Sequence, residues 1–181
     1  LDRYAMFLKS GFWRTFLSKY TEANLMHKKM LHVRKRITEE MPQEITDHIL
    51  KAQANDAYWH GLFGGLYLPN LRSSVYENLI QADKKIDEHL HRGQDFIQIT
   101  VEDIDMDGYP EILINTKKYT IGIAPNCGGR ISEISVKDRN INLCNNLTRR
   151  YESYHETMAN CLLYTSPSPR DRTSTSMPSS A

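Results

Sequence analysis

The chain has 181 residues, of which 40% are hydrophobic and 25% charged, enough for one ordinary domain or two small ones. A net charge of +1 gives no long-range field towards nucleic acid or an anionic membrane, and no apolar run reaches the length of a membrane span. Cys127, Cys144 and Cys161 fit no zinc spacing, and an odd number argues against a disulfide framework. They read as free thiols of a reducing compartment, which places the expectation in the cytoplasm.

The chain opens at Leu1 with neither an initiator Met nor a signal-peptide pattern, so it reads as starting within a longer protein. The spacing of Leu8, Phe12, Phe16 and Tyr20 predicts a helix with a buried aromatic face. Thr21 can cap a second helix, with Glu22 in its first turn. Ala23, Met26, Met30, Val33 and Ile37 form that helix's apolar stripe, and Lys28, Lys29, Arg34 and Lys35 form its solvated opposite face. Pro42 interrupts the pattern, and a third helix is predicted from about Gln43 into the Ala52 region. A fourth and longest helix follows Pro69, with the stripe Leu71, Val75, Leu79, Ala82, Ile86 and Leu90.

Between the third and fourth helices lies AQANDAYWHGLFGGLYLPNLR, residues 52–72. Gly61, Gly64 and Gly65 are poor helix residues, at about 1 kcal/mol each relative to Ala, so this stretch reads as a helix end or irregular turn. It presents Asn55, Asp56, Tyr58, Trp59 and His60 in close succession. Asn, Asp and His bond hydroxyls as donors or acceptors, and Tyr and Trp offer flat faces to a sugar ring. The same composition also suits an aromatic helix junction whose polar groups satisfy one another.

NDAYWHGLFGGLYLPNLR, together with GFWRTFLSKYTEANLMHKKML at residues 11–31, resembles the 4-α-glucanotransferase and α-amylase group of family-57 glycoside hydrolases. The resemblance implies that Asn55 to Gly61 line the sugar cleft, with Trp59 the stacking residue and Asn55, Asp56, Tyr58 and His60 beside it. It further implies that residues 1–91 are the helical domain that follows the catalytic barrel. Ala54 stands where the family usually has Cys, a difference that bears on packing.

Beyond Gly93 the periodicity changes to a β pattern: Phe96, Ile97, Ile99 and Val101, then Glu111 to Asn115, Tyr119 to Ala124 and Arg130 to Val136. Short strands punctuated by Gly, Pro, Asn and Asp point to an antiparallel sandwich. The resemblance makes residues 92–161 the incomplete beginning of a mutarotase-like β-sandwich. The expected class is therefore α+β, a helical bundle followed by that truncated sandwich.

Asp103, Asp105, Asp107 and Gly108, with Glu111 three further on, suit a calcium loop between two strands. It is no EF-hand, because Ile114 occupies the twelfth position. A solvated acidic hairpin is the alternative, so calcium is a candidate ion and no cofactor is required. GGRISEIS and NNLTRRYESYHE resemble further family elements, with Arg149, Arg150, Glu152, Tyr154 and His155 expected to pack the sandwich against the barrel, the alternative being that His155 and Glu152 touch substrate. Ser135 stands where the family more often has Asp. Residues 162–181 hold three of the seven prolines amid Ser and Thr, a disorder-prone composition that reads as an artefactual tail.

The resemblance implies a fragment of a retaining α-1,4-glucan-acting enzyme, inactive alone because the family's Glu and Asp pair lies on the barrel. Its partner is an α-1,4-glucan or maltooligosaccharide, with neither nucleic acid nor membrane. The rival is a non-catalytic carbohydrate- or calcium-binding module.

Overall fold

A computed structural model of the chain describes residues 13–60, 64–148 and 150–152. Four helices come first: α1 (Trp13–Lys19), α2 (Thr21–Lys35), α3 (Gln43–Ala52) and α4 (Pro69–His91). Five strands follow: β1 (Ile97–Glu102), β2 (Glu111–Thr116), β3 (Tyr119–Ala124), β4 (Arg130–Val136) and β5 (Ile141–Asn142). They form one antiparallel sheet in the order β1-β2-β3-β4-β5. The α+β class is as the sequence pattern indicated. A sandwich needs two facing sheets, and the described residues supply one. The tail read as disordered lies outside the described residues, as do Leu8 and Phe12 of the first aromatic face.

The helical core follows from the stripes. Ala23, Met26, Met30 and Val33 of α2 meet Ile45 and Ile49 of α3 and Val75, Leu79, Ala82 and Ile86 of α4. Pro69 occupies the first turn of α4, where its missing N–H costs nothing. Leu90, assigned to the stripe, lies past the core and is exposed. Thr21 does not cap α2: it is the first helical residue, and Tyr20 holds the cap position without a side-chain bond. Lys29 corrects the solvated-face reading, since it is buried and paired with Glu133 of β4.

The sheet's two faces reverse the usual chemistry. Asn115, Thr120, Ser135 and Asn142 are cross-strand neighbours in one row, and all are buried. The rows of opposite parity are Ile99, Ile114, Ile121, Ile134 and Val101, Ile112, Ile123, Ile131. Ile97, Ile99 and Val101 on this apolar face are 77%, 64% and 64% exposed.

What buries the polar row is a charge network between α4 and the sheet. Arg36 donates to Asp83 and, at 2.5 Å, to Asp87. Lys137, with 0% exposure, donates to Asp87, to Asn115 Oδ1 at 2.5 Å and to the Thr116 carbonyl at 2.8 Å. Thr120 Oγ1 donates to Asp83 Oδ2 at 3.1 Å, and Asn115 Nδ2 to Asp87 Oδ1 at 2.9 Å. Two carboxylates balance two cations, and hydrogen bonds fill the remaining positions, the condition under which buried charge is tolerated.

Candidate functional site

α3 stops at Ala52, and the chain makes a single tight turn at Asn55–Ala57 before reversing direction. Ala57 and Tyr58 point inward and pin this turn to the core. The Tyr58 hydroxyl donates to the Ala52 carbonyl at 2.8 Å, and burial pushes its ionisation well above the usual range. Tyr58, read from sequence as a sugar contact, therefore supports the turn from behind.

The opposite side of the turn faces out. Asn55 and Asp56 are exposed, and Trp59 is 43% exposed. His60 turns back: its Nε2 shares a hydrogen bond with the Tyr20 hydroxyl, and its ring packs among Phe16, Tyr20 and Tyr67. The five predicted residues thus divide into three outward and two inward. Gly61 lies outside the described residues.

One glycine makes the reversal sterically feasible. Gly65, at φ +49°, brings its α-carbon so close to the Trp59 carbonyl that a Cβ would sit 2.2 Å from that oxygen. The Leu66 N–H donates to that same carbonyl at 2.7 Å. Arg72, buried, then holds the returning chain by donating to the Leu66 carbonyl at 2.6 Å and to Asn145 Oδ1 at 3.0 Å. The backbone of Trp59 is therefore fixed while its indole stays accessible. The sequence pattern does not single out Arg72; its role comes from the buried contacts it makes.

A separate groove of about 670 Å³ runs between α1, α2 and the acidic loop, lined by Arg14, Asn24, Lys28, Asp105, Met106 and Arg130 among others. Within the acidic loop, Asp103, Asp105 and Glu111 each offer a carboxylate oxygen, and the three lie within 4.8 Å of one another. Asp107, also assigned to the ligand set, turns elsewhere: its oxygens accept from the Tyr109 N–H at 2.9 Å and from Asn126 at 3.3 Å. Burial, then the charges of Glu111 and Asp107, push the Asp105 carboxyl up to about 6. Asn24 of α2 donates to the Asp105 carbonyl at 2.8 Å, tying the loop to the helices.

Residues 11–86 match the family described as Alpha-amylase/4-alpha-glucanotransferase, middle domain, and residues 103–177 its C-terminal counterpart. The chain carries middle and C-terminal regions of the alpha-amylase/4-alpha-glucanotransferase family. It is 42% identical over 162 residues to alpha-amylase 1 of Dictyoglomus thermophilum, covering 87% of this chain and 23% of that protein. It is 43% identical over 155 residues to the 4-alpha-glucanotransferase of Thermococcus kodakarensis, covering 86% and 22%. The crystal structure of the Thermococcus litoralis 4-alpha-glucanotransferase superposes with a TM-score of 0.71 at 42% identity, covering 86% of this chain and 23% of that one. The chain thus spans under a quarter of the length of these relatives.

Within this alpha-amylase/4-alpha-glucanotransferase framework, the Asn55–His60 turn falls in the middle-domain match and the acidic loop in the C-terminal match. The latter match continues past Cys161 to residue 177. Cys127 and Cys144 are free thiols, and Cys161 lies outside the described residues. Arg149, Tyr154 and His155 of the expected packing network lie outside them too. Ser135 is buried and donates to Glu133 Oε1 at 2.5 Å. No helix among the described residues is long and apolar enough to cross a membrane.

Proposed function

We propose that this chain is a segment of a retaining, family-57 enzyme that cleaves or transfers α-1,4-glucan, and that it supplies one wall of the sugar cleft. The carrying observation is the Asn55–Trp59 surface: an accessible indole on a backbone held from behind by Tyr58, Gly65 and Arg72. A sugar ring stacks on such a face, and Asn55 and Asp56 flank it with an amide and a carboxylate that bond hydroxyls. His60, hydrogen-bonded to Tyr20, sets the position of the turn rather than meeting sugar.

Retaining chemistry needs two carboxylates about 5 Å apart, one as nucleophile and one as acid/base. That pair belongs to the barrel of the longer enzyme, so the segment binds and orients while the chemistry is done elsewhere. Trp59 contributes equally to ground-state and transition-state binding, and so acts on KM more than on kcat.

The test is a chimera in which residues 11–148 replace the matching part of the T. litoralis 4-alpha-glucanotransferase. The chimera should act on maltooligosaccharides, and Trp59→Ala should raise KM about ten- to thirtyfold with kcat changed far less. The 181-residue chain alone should show no turnover. An unchanged KM would reject the role of Trp59. Tight maltooligosaccharide binding by the chain alone would instead favour a self-sufficient binding module.

A further inference from the structure

We propose that Asp103, Asp105 and Glu111 form a calcium site that braces the β1–β2 loop against α2, whatever the identity of the glucan substrate. Glu111 decides the matter. Its side chain is 4% exposed; Oε2 accepts from the Ile104 N–H at 2.8 Å and the Asp105 N–H at 3.3 Å, while Oε1 is buried without any hydrogen-bond partner. A buried carboxylate oxygen with nothing to accept from is strongly disfavoured. Glu111 also offers a carboxylate oxygen that lies within 4.8 Å of one from Asp103 and one from Asp105. Three anions crowded together without a cation would repel; one divalent ion attracts each of them and outweighs that repulsion.

The ligand set favours calcium over magnesium. Calcium takes about six to eight oxygens in flexible geometry and accepts several carboxylates, whereas magnesium keeps most of its waters and uses one or two carboxylates. Three carboxylates converge here, with oxygens within 4.8 Å of one another. Beside them is a cavity of about 40 Å³ that Asp105 and Glu111 help to line. It is large enough for a coordinating water. Because Asn24 of α2 holds the Asp105 carbonyl, an ion here would stiffen the contact between helices and sheet.

The experiment uses the full 181-residue chain, stripped of metal and titrated with calcium chloride by calorimetry and by thermal unfolding. One ion per chain should bind, and saturating calcium should raise the unfolding midpoint by about 5–10 °C. Glu111→Gln and Asp103→Asn should each weaken calcium binding at least about tenfold, because affinity follows ligand charge. Asp138→Asn, a distant exposed carboxylate change, should leave it intact. Without calcium, Glu111→Gln should unfold at or above the stripped parent, since one of the crowded charges is gone; with calcium the order should reverse. Failure of the stripped parent to bind millimolar calcium would overturn the site. So would equal binding by Glu111→Gln and parent, or a preference for magnesium.

Discussion

The sheet's helix-facing side is polar and buried, and its other side is apolar and open. Both sides obey the same rule, that burial is set by which partner is present. Asn115, Thr120 and Ser135 are buried because Asp83, Asp87, Arg36 and Lys137 meet them with matched charge and hydrogen bonds. Ile97, Ile99 and Val101 are exposed although they carry the stronger drive to leave water. Contiguous exposed apolar surface is a common mark of interfaces. We infer that the remainder of a longer protein, in the manner of a second sandwich sheet, covers it.

The polar side should be the more sensitive to single changes. Lys137→Met leaves Asp83 and Asp87 with Arg36 as their main cation and should cost about 3–5 kcal/mol by urea unfolding. A loss under 1 kcal/mol would show that the network adapts.

A smaller effect should come from acid. Burial alone would raise the Asp83 carboxyl, but Arg36, then Lys29 and Lys137, and the Thr120 hydroxyl hold it below its ordinary 3.8. A depressed folded value means that this stability is present above the unfolded value and lost as pH falls through the folded one. The Asp83 contribution should therefore persist down to about pH 4 and vanish below it. His32 adds an earlier loss: burial lowers its pKa from 6.5, so the folded state resists protonation and stability declines as pH drops below about 6.5. Thermal midpoints across this range should fall in two stages. His32→Gln should shrink the first stage, the remainder belonging to His27, which burial also holds below 6.5.

Much of the architecture could be read before folding, because the helical stripes and the four principal strands are periodic over several turns or pairs. The two-residue β5 was too short to register, and its pairing depends on β4. Face assignment was harder. In β2, alternation places Ile112 and Ile114 opposite Glu111 and Asn115, and period alone would send the isoleucines inward. The structure reverses this because the polar side has found buried counter-charges distant in sequence. Lys29 was misleading and Lys137 went unnoticed for the same reason: a lysine's pairing with a carboxylate about 50 or 100 residues away leaves no local trace. At the candidate site, residue types marked the turn correctly. Which residues face outward was decided by Tyr58 reaching back to Ala52 and by the close approach at Gly65, neither visible in the order of residues.

The most direct measurement compares Ile99→Lys in two settings, the 181-residue chain and the chimera with the T. litoralis enzyme. In the chain alone the new charge meets water, and stability should change by no more than about 0.5 kcal/mol while self-association falls. In the chimera the covering sheet should bury that charge, and the same substitution should cost at least about 3 kcal/mol. Equal effects in both settings would contradict the inference that this face is completed by the rest of a larger enzyme.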